Sequence, residues 1–277
     1  MKNTHATPSI SPLLLVQGLW QNKHLIGQMT KRDIAIRYRG SVFGIAWSFV
    51  TPILMLVVYT FVFSVVFGAR WGTSSSESQT DFAIILFVGM IVYGFFAEVV
   101  NKSPTLIIAN VNYVKKVVFP LEILPVISIG ATLFHSFISG LVLIVALLFT
   151  KGEVQLTAVF FPLIFLPLVI WTLGVVWFVA ALGVFIRDLG QAVVLLTTAI
   201  MFLSPVFYPV SALPENFQKL LYYNPLTFVI EQSRAVIIFG QFPDWNGLAV
   251  YALVSLFVAW CGFCCFQRVR QGFADVL

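Results

Sequence analysis

Charge is scarce in this chain: 10% of its 277 residues are Asp, Glu, Lys or Arg, where a soluble domain carries about a quarter. That deficit excludes an ordinary solvated surface. Cysteine is nearly absent as well. Cys261, Cys264 and Cys265 all fall in the last apolar run, so no disulfide framework can be built from them. Their i, i+3, i+4 spacing places three thiols on one helical face, a geometry open to a soft metal. No His or carboxylate lies near in sequence, however, and small residues in a lipid-buried helix are the expectation, so no metal site is predicted. Histidine is equally rare, with His5, His24 and His135 alone. There is no H-E-x-x-H or G-x-S-x-G string and no G-x-x-x-x-G-K-[ST] loop. No catalytic residue is therefore predicted, and any ATP-driven work falls to another subunit.

What is present is oil: 60% of the residues are hydrophobic. A helix crosses the hydrocarbon core with roughly 20 predominantly apolar residues. Six runs qualify, at about Phe43 to Gly68, Phe82 to Val100, Leu121 to Phe149, Leu156 to Phe185, Ala192 to Tyr208 and Leu248 to Phe266. Stretches such as "LVLIVALLF" do not alternate as barrel strands must, so the predicted class is an all-α integral membrane protein. The start has a short apolar patch, no strong basic region and no A-x-A site, and a cleaved signal peptide is not expected. The chain divides into a cytoplasmic tail with an interfacial helix, 1–42, and a six-helix membrane domain, 43–277.

The densest positive charge, "RDIAIRYRG" at 32–40, stands directly before the first oily run. With the N-terminus inside, twelve of the sixteen Lys and Arg residues lie in inner segments, the bias that fixes orientation in multi-pass proteins. Arg32, Arg37, Tyr38 and Arg39 are read as an interfacial anchor. Between Leu25 and Arg39 the apolar residues Leu25, Ile26, Met29 and Ile36 share one sector of a helical wheel, while Arg32 and Asp33 blur its edges. An amphipathic helix on the inner surface fits; a solvated basic tail is the alternative.

A second inner element follows the second run, "SPTLIIANVNYVKKVVFP". Ser103 is placed to cap a helix with Pro104 at its first position, and Ile107, Val111, Val114 and Val118 recur at helical spacing. Thr105, Asn112 and Lys116 fall on another face, where a partner could dock. The ionisable residues Glu98, Glu122, Arg187 and Asp188 sit where runs meet the inner interface, as expected of paired or snorkelling helix ends. Before the last run, "SPVFYPVSALPENFQKLLYYNPLTFVIEQSRAVIIFGQFPDW" is interrupted by Pro205, Pro209, Pro214, Pro225 and Pro243. It reads as a re-entrant hairpin of two short helices over about 209–243, with Glu231 and Arg234 spaced to pair; an external loop resting on lipid is the alternative.

The segments "KRDIAIRYRGSVFGIAWSFVTPILMLVVYTFVFS", "VVFPLEILPV", "FIRDLGQ" and "SPVFYPVSALP…NPLTFVIEQSR" occur in an order that resembles the type-2 ABC exporter permeases that move O-antigen, capsular and teichoic polysaccharides, over nearly the whole chain. The resemblance implies a homodimer of six-helix subunits in the inner membrane with cytoplasmic termini. It also implies two separate nucleotide-binding ATPase subunits that hold ATP and Mg, a lipid-linked polysaccharide substrate, contact with membrane lipid and no nucleic-acid partner. No cofactor is expected in this chain itself.

It implies a coupling helix at about 103–118, carried by Thr105, Asn110, Asn112, Lys115 and Lys116, and an outer gate at Pro214, Asn224, Pro225, Glu231 and Arg234. In such permeases the first and fifth helices border the path, so Phe43, Trp47, Tyr59, Phe63, Phe202, Phe207 and Tyr208 are its candidate lining. Aromatic planes hold the C–H faces of sugar rings weakly and repeatedly. Read without the resemblance, stripes such as Phe43/Trp47 and Tyr59/Phe63/Phe67 are more often the packing or lipid-facing residues of a membrane helix. An enzyme of lipid-linked glycan assembly using Glu98, Glu122 and Asp188, and an exporter of a drug or lipid, remain as alternatives.

Overall fold

A computed structural model describes residues 11–66, 79–114 and 119–277. Among them every regular element is helical. The first two are α1 (Pro12–Gln21) and α2 (Lys23–Arg37), meeting at Asn22, whose side chain donates to the Gly18 carbonyl (2.8 Å). The helix α1 was not anticipated. Leu13, Leu14, Val16 and Trp20 are exposed along it, and their closeness to a polar tail hid the pattern.

The stretch for which an interfacial helix is expected is helical, as α2. Met29 is buried and Leu25 and Ile26 pack beside it, whereas Ile36, expected on the same stripe, is 55% exposed. Thr30 sits against Gly130, where an added Cβ would approach its side chain to 3.0 Å.

Among the described residues five helices are long and apolar enough to cross a membrane: Gly44–Phe63, Phe82–Thr105, Ile123–Lys151, Leu156–Gly183 and Trp245–Val276. The first opens as a 3-10 turn, Gly44–Ala46, continues as α3 (Trp47–Tyr59) past an internal Pro52, and widens into a π-helix, Thr60–Val66. Pro52 lacks the N–H of a regular helix turn, and such defects mark places where the helical hydrogen-bond ladder is re-spaced. The rest of the expected span and Phe67 lie outside the described residues. The others are built on α4 (Gln79–Lys102), α6 (Ile123–Lys151), α7 (Phe161–Gly183) and α11 (Trp245–Val269).

The expected run Ala192 to Tyr208 differs from these. Its helix, α8 (Leu189–Phe202), has 14 residues, about 21 Å at 1.5 Å per residue against a core of about 30 Å. The chain then turns through Leu203–Tyr208, because Pro205 disfavours a helical residue before it and cannot donate to a helical ladder. Two short helices follow, α9 (Glu215–Leu221) and α10 (Pro225–Ile237), as the prolines predicted. A terminal turn, α12 (Phe273–Val276), closes the chain.

The helices arrange around α4, 83% of whose apolar window is buried inside the protein, against 11% for the first span. Phe82, Ile85, Leu86, Val92, Phe95 and Val99 of α4 anchor the main core with α7, α8 and α10. A second core at the other end joins Met29, Ile107, Ile123, Trp177, Phe263 and Phe273.

Two backbone contacts lock α7. Against α11, a Cβ on Gly262 would lie 2.0 Å from the Gly174 carbonyl oxygen and one on Gly174 2.5 Å from that of Val258, the close approach that small residues allow between membrane helices. Against the turn after α4, a Cβ on Gly183 would lie 2.1 Å from the Pro104 carbonyl oxygen.

That turn corrects a sequence expectation. Ser103 caps no helix: α4 runs on to Lys102, and the buried Ser103 hydroxyl donates back to the Val100 carbonyl (2.6 Å). The segment 103–114 is a 3-10 turn Ser103–Thr105, a 3-10 turn Ile108–Asn110 and the short α5 (Val111–Val114) rather than one helix. Its continuation, with Lys115, Lys116 and Val118, lies outside the described residues.

Candidate functional site

The chain leaves α2 through Tyr38 and reverses at Gly40 (φ 80°) and Gly44 (φ 52°), left-handed positions that favour glycine. The reversal lays Arg37 and Tyr38 against α4 and α6. Arg37 Nη1 donates to Glu98 Oε1, Lys102 Nζ donates to the same oxygen (2.6 Å), and the Thr132 hydroxyl reaches it at 3.4 Å. The Tyr38 hydroxyl lies 3.2 Å from His135 Nδ1, their rings edge to face. Both basic side chains remain nearly half exposed. Burial pushes the Tyr38 phenol above its ordinary value, against the lowering pull of Arg37.

Beside this cluster an open cavity of about 250 Å³ lies between the first span and α4 and α6. Trp47, Thr51, Met55 and Tyr59, four residues apart along one face of the first span, form one wall. Met90, Ile91, Glu98, His135 and Ser139 form the other, with Arg37 and Tyr38 at the rim. A smaller hollow of about 140 Å³ shares Glu98, His135 and Ser139. Ser48 and Ser139 donate to the carbonyls of Ile45 (2.6 Å) and His135 (3.0 Å), which leaves their oxygens able to accept. The cavity thus combines aromatic planes, hydroxyl acceptors and the Arg37–Glu98 ion pair, while Lys102, on the same carboxylate, is not part of its lining. Only Glu98 and His135 had been singled out from that inner wall, and only as isolated residues. Ser139 and Thr132 had no signal of their own; they face the cluster because they flank His135 at i+4 and i−3.

The expected path aromatics fall into two groups. Phe43 and Trp47 meet edge to face (5.5 Å) at the basic end, both partly exposed. Farther along, Phe63 stacks on Phe207 (5.7 Å) and Phe207 on Phe202 (5.9 Å), so the first span and the end of α8 touch through an aromatic ladder. Tyr59 lies between, in the cavity wall. The Tyr208 hydroxyl is turned back to the Phe202 carbonyl (2.8 Å).

Three of the four anchor residues have intramolecular partners. Arg32 donates to the Tyr113 hydroxyl of α5 (2.9 Å), Arg37 pairs with Glu98 and Tyr38 meets His135, while Arg39 is exposed. Asp33 is half-buried; desolvation pushes its carboxyl above the usual range against the pull of Arg32 and Lys102. On the segment after α4, Thr105 and Asn112 are exposed, and Asn110 donates to the Leu106 carbonyl (2.8 Å). Glu122 pairs with Arg270 (2.7 Å), whereas Arg187 and Asp188 are exposed.

At the opposite end Pro214 precedes α9, and Asn224 caps α10, accepting from Leu226 N (2.9 Å) with Pro225 at the first position. Asn224 Nδ2 also donates to the Ser204 hydroxyl (2.8 Å), tying the hairpin to the end of α8. Glu231 and Arg234 pair as their spacing predicted (2.9 Å). Arg234 is 1% exposed and donates further to the carbonyls of Ile85 (3.1 Å), Pro205 (2.6 Å) and Val206 (2.8 Å). Among the described residues no three His, Cys, Asp or Glu side chains converge into a metal-holding group, and Cys261, Cys264 and Cys265 are free.

The chain is 29% identical over 264 residues to the O-antigen export system permease protein RfbA of Myxococcus xanthus, covering 94% of this chain and 98% of that one. A protein of the same name from Klebsiella pneumoniae is 27% identical over 91% and 95% of the two chains. The polysialic acid transport protein KpsM of Escherichia coli is 23% identical over 82% and 87%. Residues 24–238 match the family described as ABC-2 type transporter. That match takes in α2, the cavity and the hairpin up to its last helix, and with most of its length inside it this multi-pass membrane chain belongs to the ABC-2 type transporter family.

Proposed function

We propose that this chain is the membrane permease of a polysaccharide exporter, working on a lipid-linked polymer of the O-antigen class. The observation that carries this reading is end-to-end similarity to O-antigen export permeases, with 98% of the Myxococcus protein covered. Two copies form the path at their two-fold interface, and two separate ATPase subunits, which hold ATP and Mg, drive it from the cytoplasmic face. The chain lies in the inner membrane with both termini cytoplasmic, and α8 with the α9–α10 hairpin serves as the remaining crossing and outer gate. The aromatic ladder Phe63/Phe207/Phe202 fits this role, since it places stacking surfaces where the first span meets α8. Thr105 and Asn112, exposed on the segment after α4, with Asn110, Lys115 and Lys116, form the coupling surface for the ATPase.

Deletion of the gene in its host, with the polymer sized by compartment, tests this function. Full-length polymer trapped inside with none at the surface is expected. Absent or truncated polymer would point to an assembly enzyme, and normal surface polymer to another cargo.

A further inference from the structure

On the flank of the bundle between α6 and the start of α7 we infer a seat for one acyl chain of a membrane glycerophospholipid whose phosphate lies at Lys151. A hollow of about 70 Å³ opens there. Buried Val88 and Ile91 of α4 and Ile237 of α10 close it from within, and Gly140 and Ile144 of α6 face Phe161 of α7 across it. Gly140 keeps the space open, since an added Cβ there would meet nothing within 4 Å. Every lining side chain is apolar. Water would therefore find no partner inside, and a void would forfeit the contacts of its walls.

Where the hollow opens decides its occupant. Ile144 is 42% exposed, on the face of α6 that also exposes Leu141, Val145 and Leu148. Because α6 is long and apolar enough to cross a membrane, that face meets hydrocarbon. Lys151, in the last turn of α6 before Gly152 and exposed, follows Ile144 at i+7 and Gly140 at i+11 on the same stripe of the helix. At 1.5 Å per residue it stands about 10 Å beyond the first and about 16 Å beyond the second. One leaflet's share of the hydrocarbon core is about 15 Å, so a phosphate drawn to this cation lets the terminal half of its acyl chain reach the hollow. There is room for a run of about five water-sized groups, such as methylenes. No residue of the first span or α8, the faces given to a second copy, lines the space. The lipid chain thus serves as mortar between α6 and α7.

The test is photolabelling of the purified full-length chain in detergent, using a trace of phosphatidylglycerol with a diazirine near the end of one acyl chain, with the labelled peptides mapped by mass spectrometry. Label should fall on 140–144 and 158–161 about fivefold over 253–256 of α11, although Leu253 and Leu256 are 68% and 54% exposed. Unlabelled phosphatidylglycerol or phosphatidylethanolamine should suppress that excess, and diacylglycerol with the same chains should not. Gly140→Leu, whose side chain fills the hollow, should bring the ratio to about one without lowering the unfolding midpoint. Lys151→Gln, at an exposed helix end, should cut the excess about fivefold, and it decides the matter even where Gly140→Leu fails to fold. Ile144→Cys, in the chain whose own cysteines are replaced by alanine, should give no dimer with a short bismaleimide. Label spread evenly over both faces overturns the assignment, as does an excess that survives in folded Gly140→Leu or in Lys151→Gln. Equal suppression by diacylglycerol overturns it too, and a dimer through Ile144→Cys would put a second copy in place of the lipid.

Discussion

Arg234 shows what one side chain can hold in a chain so poor in charge. Its guanidinium serves the carbonyls of Ile85, Pro205 and Val206 and the carboxylate of Glu231 while almost fully buried. It passes beside Gly89, where a Cβ would come within 2.8 Å of its Nη2. The end of an arginine usually moves aside cheaply, but this one is pinned on several sides. Arg234→Met is expected to cost about 3 kcal/mol or more, because three carbonyls and a carboxylate lose their donor. The check is the thermal unfolding midpoint in detergent. Gly89→Ala should lower that midpoint in the same direction, and a midpoint unchanged in both would refute the staple. The i, i+3 spacing made the pairing with Glu231 legible in the sequence. The carbonyl partners were not, since they depend on the turn at Pro205 coming back over α4.

Among the elements, the long spans were readable from apolar runs because a membrane helix needs length and oil and little else. Their ends shifted by a few residues, and the run ending at Tyr208 proved shorter because Pro205 stops its helix. The segment after α4 was misread for a physical reason: Ser103 and Pro104 look alike as a helix start and as a buried turn, and only the seat against Gly183 decides between them. The contact of α7 with α11 was invisible for the same reason, as glycine carries no pattern of its own. Gly262→Ala should force these helices apart and cost about 2 kcal/mol. Gly140→Ala, with nothing within 4 Å of the added carbon, should be neutral or slightly stabilising. Unfolding midpoints of the two variants, measured side by side, decide the point; equal loss in both would mean that the crossing is not tight.

For the whole molecule, the cavity was legible only as scattered residues. Arg37, Trp47, Tyr59, Glu98 and His135 each drew attention, but no spacing in the sequence says that the first span, α4 and α6 bring them round one space. The outward apolar faces of the first span and α8 are likewise a property of the assembled bundle. Leu195 is 72% exposed and Leu196 61%, and under the dimer reading a second copy covers them. Single cysteines at Val194, Leu195 and Leu196, in a chain whose own three cysteines are replaced by alanine, should give dimers with a short bismaleimide. A cysteine at Leu253 of α11, as exposed as these (68%), should not. Crosslinking from Leu253 alone would place the partner on the opposite flank.

The seat of Pro104 on Gly183 has a mechanical meaning. Most contacts between helices are cushioned by side chains, which absorb a small displacement by changing rotamer. Here main chain rests on main chain, and nothing between can give. A displacement of the turn at the exposed Thr105 would therefore pass to the end of α7 with no side chain between to take it up, and α7 is held again by α11 at Gly174. One missing methyl group makes this joint a bearing instead of a spring.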